Sequence, residues 1–193
     1  MATYLQRTPS STGNRQIFTY SAWVKRSKLG ANTLFYAGAN SATSGTIAFR
    51  FTSNDNLNVY IQDIGEFIIT NRKFRDVSAW YHIVLAIDTT QATPDNRRKL
   101  YINGVQETSF STNTEVNRNL NLNVSTSGQL QRIGTYADGS GNVEAFFGGS
   151  MSHIHFCDGT ALAPTVFGET DSTTGEWKIN TSPSFTLGTN GFT

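Results

Sequence analysis

Apolar and polar residues alternate with period two over most of the chain. Thr46–Thr52 sets Ile47, Phe49 and Phe51 against Ala48 and Arg50, and Leu57–Gln62 sets Leu57, Val59 and Ile61 against Asn58, Tyr60 and Gln62. Successive side chains of a strand point to opposite faces, so each segment predicts a strand with one buried and one wet face. The connector Ser53-Asn54-Asp55-Asn56 consists of turn formers and predicts a hairpin. Ile17–Arg26 differs, with Phe18, Tyr20, Ala22 and Val24 on one parity and Trp23 on the other. That distribution predicts a central strand covered on both faces.

The stretch Ser78–Ser109 carries the strongest pattern. Trp80–Thr90 places Tyr81, Ile83, Leu85 and Ile87 on one face and His82, Val84, Ala86 and Asp88 on the other, too apolar for an exposed edge. After a loop with Pro94-Asp95-Asn96, Lys99–Ile102 meets Val105–Phe110 across Asn103-Gly104, a dipeptide suited to a type I′ turn because both central residues need positive φ. Shorter strands are expected at Thr3–Leu5, Thr33–Ala37, Phe67–Thr70, Leu130–Tyr136 and within Phe146–Cys157, and residues 111–128 read as a long surface loop with one weak strand. Residues 161–168 suggest a single helical turn, and the remainder is polar with Trp177 and Phe185 as its main apolar anchors. No segment has the apolar period of a long helix. Many short strands with frequent turns predict an all-β fold, two antiparallel sheets packed as a jelly-roll sandwich. At 193 residues one domain is expected, spanning 1–177, with 178–193 as a polar tail ordered by assembly.

Charge narrows the classes of partner. Fifteen Lys and Arg against fourteen Asp and Glu leave a formal charge of +1, too weak a field to hold nucleic acid by counterion release. The basic run Arg97-Arg98-Lys99 reads as a solvated loop. The N-terminal residues lack the apolar run of a secretory signal, and no stretch is long and apolar enough for a membrane helix. One cysteine, Cys157, excludes an internal disulfide framework and fits assembly in a reducing cytosol. His153, His155 and Cys157 alternate, so on a regular strand all three would share a face within reach of one metal ion. The set lacks a fourth ligand, and packing on a sheet face is the favoured reading.

The segments FTYSAWVKRS, WYHIVLAIDTT, KLYINGVQ, RIG, FFGG and IHFCDGTALAPTVFGE, in that order, resemble laminin-G-like domains of the concanavalin A-like lectin/glucanase class. More closely they resemble the marine bacteriophage virion proteins built on that domain. The likeness runs from Tyr4 to about Trp177. It implies two antiparallel sheets with Trp23 in a central strand and Trp80-Tyr81 opening another. It also implies a place in a capsid decoration, head fibre or tail fibre, localisation to the virion after assembly in the host cytoplasm, and other virion proteins as partners in a homo-oligomer.

Glucanases of this fold carry Glu-x-Asp-x-x-Glu on one strand, because glycoside hydrolysis needs an acid and a second carboxylate flanking one bond. The nearest echo here is Glu169-Thr170-Asp171 with Glu176, in a polar tail, so no enzyme activity is expected. Asp138-Gly139-Ser140-Gly141-Asn142 is similar to the start of a calcium loop, and the family often holds calcium at a sheet rim, but the later bidentate Glu is missing. A hairpin loop explains the same residues, and no cofactor is expected. Tyr136, Asp138 and Asn142 could form a sugar-binding patch of aromatic platform and hydrogen-bonding groups, and Asp95 and Asn96 occupy a second rim loop. Two functional readings result. One is a virion structural protein. The alternative is a carbohydrate-binding module or adhesin that meets cell-surface glycans through its rim loops.

Overall fold

The computed structural model describes residues 3–193. Its first eight strands are β1 (Leu5–Arg7), β2 (Ile17–Arg26), β3 (Asn32–Ala37), β4 (Ile47–Phe51), β5 (Asn56–Ile61), β6 (Gly65–Lys73), β7 (Tyr81–Asp88) and β8 (Arg98–Ile102). The remaining eight are β9 (Val105–Gln106), β10 (Phe110–Asn113), β11 (Gln131–Ile133), β12 (Tyr136–Ala137), β13 (Val143–Glu144), β14 (Gly149–Asp158), β15 (Gly168–Thr170) and β16 (Trp177–Ile179). Two sheets dominate, in the orders β1-β11-β3-β4-β5-β6-β10 and β14-β2-β7-β8-β9, and every pairing in them is antiparallel. Two small hairpins, β12–β13 and β15–β16, lie outside them. The expected helical turn is a 3-10 turn at Pro164–Val166. The architecture is the two-sheet antiparallel jelly-roll sandwich that the alternation predicts.

The core lies between the sheets. Phe18, Tyr20, Ala22 and Val24 of β2 and Ile83, Leu85 and Ile87 of β7 face Phe35 of β3, Phe49 and Phe51 of β4 and Leu57, Val59 and Ile61 of β5, all buried. The Asn103-Gly104 turn has φ of 48° and 80°, the positive pair that a type I′ hairpin requires, and joins Ile102 to Val105. Two expectations change. Leu130–Tyr136 is split at Gly134 (φ 86°), so β11 pairs with β3 while β12 departs into its own hairpin. The segment 111–128 is more than a surface loop, because Val116, Leu122 and Val124 are buried in the core cluster.

A buried ion pair ties the sheets together at one end. Arg26, at the end of β2, reaches Asp55 in the β4–β5 turn at 3.1 Å, donates to the carbonyls of Phe74 (2.6 Å) and Gly30 (2.8 Å), and lies over the Phe51 ring at 4.3 Å. Asp55 also accepts from the Gly30 N–H (2.7 Å) and from Arg75 (3.1 Å). Burial works to raise the Asp55 pKa, but Gly30, Arg75 and Arg26 outweigh it and hold the carboxyl below its ordinary value.

The outer face of the five-stranded sheet is also covered, so β2 and β7 are buried on both sides, with Thr19, Ser21 and His82 among the covered residues. The chain after β14 returns across it. Phe167 packs with Val84 and Cys157, flanked by Leu162, Val166 and Phe185, and His155 lies against Phe167 and Phe185, with ring centroids 5.3 Å from each. Trp177 of β16 lies on His82 of β7 (5.9 Å, 19° between planes), and Trp23 of β2 stacks on the same imidazole (4.9 Å, 14°). The Trp177 Nε1–H donates to His82 Nδ1 at 2.9 Å, which leaves the neutral imidazole proton on Nε2, facing Ser21 Oγ at 2.9 Å. Burial is the main cause that takes His82 down to about 4, with the charge of His155 in support.

Residues 178–193, set apart in the sequence as a tail, lie on the same body. Phe185 joins the outer layer, and Phe192 pairs with Phe156 of β14 through reciprocal backbone hydrogen bonds of 2.9 Å and stacks on its ring. Asp158 accepts from the backbone N–H of both Asn14 (2.8 Å) and Asn190 (2.9 Å), while the Arg7 guanidinium sits over the Phe192 ring at 4.9 Å and donates to the Asn190 carbonyl.

Removing one partner of the inter-sheet pair leaves a buried charge behind. Asp55→Ala is therefore expected to lower unfolding free energy by about 3–5 kcal/mol, read from urea denaturation. His82 gives a separate acid response. Between its ordinary pKa and about 4 the unfolded chain binds a proton that the folded chain refuses, so stability falls with pH through that window. The loss should approach about 3 kcal/mol, and His82→Gln should flatten the slope of unfolding free energy against pH.

Candidate functional site

The outer face of the seven-stranded sheet carries a transverse row of residues brought into line by strand register. Arg132 of β11 is opposite Tyr36 of β3, Tyr36 opposite Ala48 of β4, Ala48 opposite Tyr60 of β5, and Tyr60 opposite Glu66 of β6. Ala48 is small, so the row dips between its two tyrosines. Arg50, two residues along β4 and on the same face, lies over the Tyr60 ring at 5.4 Å and near Tyr136 at 6.0 Å. The β12–β13 hairpin leans over this row and contributes Tyr136, whose ring is 6.2 Å from that of Tyr36. The result is a cleft of about 240 Å³ lined by Tyr36, Ser41, Thr46, Ala48, Arg50, Tyr60 and Tyr136. The wet face expected for the β4–β5 hairpin is thus partly covered: Ala48 and Asn58 are buried, and Tyr60 and Arg50 are half-buried.

Hydrogen bonds fix the walls. Arg50 Nε donates to Asn58 Oδ1 at 2.9 Å and its Nη2 to Glu66 at 3.2 Å, and the Tyr60 hydroxyl donates to Gln62 at 2.7 Å. The Tyr136 hydroxyl donates to Glu144 on the neighbouring strand. Burial, with the Glu144 carboxylate in support, pushes the Tyr136 phenol up to about 12, and burial does the same for Tyr36 against the opposing pull of Arg132. Both rings are therefore neutral near pH 7. Tyr36 is fully buried, its hydroxyl beside that of Thr46, so it forms the closed base of the cleft.

The structure brings together some of the residues singled out from sequence and separates others. Tyr136 lines the cleft, with Asp138 and Asn142 in the hairpin loop beside it. The Asp138 carboxylate accepts from the N–H groups of Ser140 (2.9 Å) and Asn142 (2.8 Å) and from the Asn142 amide (3.0 Å), so it closes its own loop. The Asn142 bonds, followed by those of the neighbouring backbone, hold Asp138 below its ordinary pKa. Asp95 and Asn96 lie elsewhere, in a 3-10 turn before β8. Asp95 is paired loosely with Arg98 (3.5 Å), and Asn96 lines a groove with Asp88, Lys99 and Tyr101 on the other sheet.

His153, His155 and Cys157 do not share a face. The β14–β2 register shifts between Ser152 and His155, and His153 takes φ of 47° at this bulge. One extra residue in a strand reverses the side-chain alternation beyond it. His153 is exposed and bonded to Ser152 (2.7 Å), His155 is packed between aromatic rings, and burial pushes the Cys157 thiol up to about 12. Among the described residues no group of three His, Cys, Asp or Glu side chains is placed to hold a metal ion. Glu169 and Asp171 lie on or beside β15, both bridged by Lys178 at 3.4 and 3.0 Å. The N–H groups of Thr174 and Thr173, then Lys178, hold Asp171 far below the usual carboxylate range.

Of the residues that line the cleft, the sequence pattern singled out Tyr136 and not Tyr36, Tyr60 or Arg50. The available signal was the presence of Tyr60 and Arg50 on the polar parity of an otherwise regular hairpin.

Residues 2–167 match the Laminin_G_3 family, described as the concanavalin A-like lectin/glucanases superfamily, and the chain belongs to that family. Among curated protein sequences none is significantly similar. Several solved structures share the fold. A heptameric SAP-like pentraxin from Limulus polyphemus is 17% identical, with 83% of this chain and 71% of that chain covered and a TM-score of 0.56. Domain 4 of the extracellular GH43 arabinanase AbnA from Geobacillus stearothermophilus, in complex with arabinotriose, is 18% identical, with 84% and 69% covered and a TM-score of 0.55. The IT-sialidase CBM40 of Ruminococcus gnavus is 14% identical, with 83% and 95% covered and a TM-score of 0.56.

If the Asp138 carboxylate serves as a loop closure, Asp138→Ala should remove exchange protection from the Ser140 and Asn142 amides while the melting temperature of the domain holds. Amide hydrogen exchange checks this, and added calcium should not restore protection to the variant.

Proposed function

We propose that this protein is a carbohydrate-binding module whose ligand enters the tyrosine cleft on the seven-stranded sheet. The observation that carries this reading is a cleft walled by three tyrosine rings, two of which, Tyr60 and Tyr136, lie against Arg50. Sugar rings have an apolar C–H face and a hydroxyl-bearing edge. Tyrosine offers a flat apolar surface with a polar tip, and the hydroxyl of Ser41 and the guanidinium of Arg50 supply hydrogen bonds of the kind that orient a polar ligand. Solved structures of the same fold include the arabinanase domain in complex with arabinotriose and the Ruminococcus gnavus CBM40 bound to α2,3-sialyllactose (TM-score 0.52), which supports the class of ligand without fixing the sugar.

Binding without hydrolysis is part of the same proposal. The carboxylates that echo the glucanase motif are held by Lys178 on an outer hairpin, and Asp171 is ionised by its cap, which suits a structural bridge better than a general acid. A place on a virion, expected from the sequence resemblance, is compatible with this reading, since a protein on a particle surface can also be its adhesin. Locating the chain in purified particles tests that placement.

Screening the purified protein on a glycan array, followed by calorimetric titration of any hit, tests the cleft. Tyr136→Ala and Tyr60→Ala should each weaken binding by roughly tenfold or more, about 1.4 kcal/mol, with little change in melting temperature. Unchanged affinity in both variants would remove the cleft from consideration.

A further inference from the structure

The chain has three tryptophans, and all three meet at one place on the opposite side of the sandwich. Trp23 comes from β2, Trp80 from the residue before β7, and Trp177 from β16. With Ser152, Lys178 and Ile179 they line a cavity of about 430 Å³ outside the five-stranded sheet. Two of the indoles are held by what lies beneath them. Trp23 and Trp177 both stack on His82, and Trp177 is pinned by its hydrogen bond to that imidazole. Trp177 also fits against Gly104 and Gly168 so closely that a Cβ at either would come within 2.5 or 2.6 Å of its ring.

Trp80 has a different status. It is 40% exposed, with a large apolar ring at the water boundary. Covering the exposed part of such a ring is favourable, and the isolated domain leaves it open to water. The cavity therefore has two rigid indole walls and one open indole face. Its rim carries the Ser152 hydroxyl and Lys178, whose charge is already bridged by Asp171 and Glu169.

We propose that the Trp23–Trp80–Trp177 pocket is a second binding site, on the sheet opposite the tyrosine cleft, and that it takes a neutral sugar ring of an oligosaccharide. The ring's C–H face stacks on indole, and its hydroxyl groups reach Ser152 and Lys178. An open face with a polar rim suits a ring that is apolar on one side and hydroxylated at its edge. It suits an acyl chain less well, because a chain gains most from enclosure. The bridged Lys178 offers no free charge to an anionic ligand. This inference goes beyond the cleft reading and does not depend on it.

The two sites have separable signals, because the cleft contains tyrosine and no tryptophan. Selective excitation of tryptophan, and the three indole N–H resonances in NMR, report the second pocket directly. The test titrates maltotriose, cellotriose and arabinotriose, each at millimolar concentration, into the wild-type protein, Trp80→Ala and Tyr136→Ala. The expected result is a saturable tryptophan response to at least one trisaccharide, weakened roughly tenfold or more by Trp80→Ala and unchanged by Tyr136→Ala. No response to any of the three overturns the proposal while leaving the cleft to be judged by its own variants. A response that survives Trp80→Ala at full affinity, or one abolished by Tyr136→Ala, also overturns it.

Discussion

The structure depends on one constraint: β2 and β7 are buried on both faces. One face of each builds the core between the two sheets, and the other would be exposed if the protein ended at two layers. The chain after Asp158 resolves this by returning across the five-stranded sheet as a partial third layer. His82 is where the layers meet. It joins Trp23, its cross-strand partner in the sheet, to Trp177 in the covering hairpin, and its two ring nitrogens are both engaged. A histidine here does what an aliphatic residue could not. It supplies a flat ring to stack and an acceptor for the indole N–H, so a polar group in an apolar layer is satisfied.

Much of the scaffold was legible because it rests on local rules. Period-two alternation located the β4–β5 hairpin, Asn103-Gly104 located the β8–β9 turn, and the two-parity pattern of Ile17–Arg26 placed β2 inside a sheet. The cleft was less legible because it depends on register between strands distant in sequence. Arg132 and Tyr36 are neighbours only because β11 pairs with β3, a pairing across nearly a hundred residues that no local pattern specifies. The alternation of His153, His155 and Cys157 misleads for a related reason. A bulge breaks the period at that point, and nothing in MSHIHFC announces it.

The two faces of the sandwich differ in chemical character. The seven-stranded sheet carries tyrosines, arginines and short polar side chains, arranged by register and left partly open by the small Ala48. The five-stranded sheet carries indoles and imidazoles, most of them buried by the returning chain. Lectin-like folds separate scaffold from recognition in this way because a sheet face can change its outward residues while its inward parity keeps the core. Here both outward faces are rich in aromatic rings, which an inert packing surface would not require.

The contact of Arg7 with Phe192 and Asn190 places the first strand against the last residues of the chain. The sandwich is thereby closed into a non-covalent ring, with entry and exit side by side. A pull applied at the two ends would therefore fall first on the Arg7–Phe192 contact and on the bridge by which Phe192 holds Phe156 of β14.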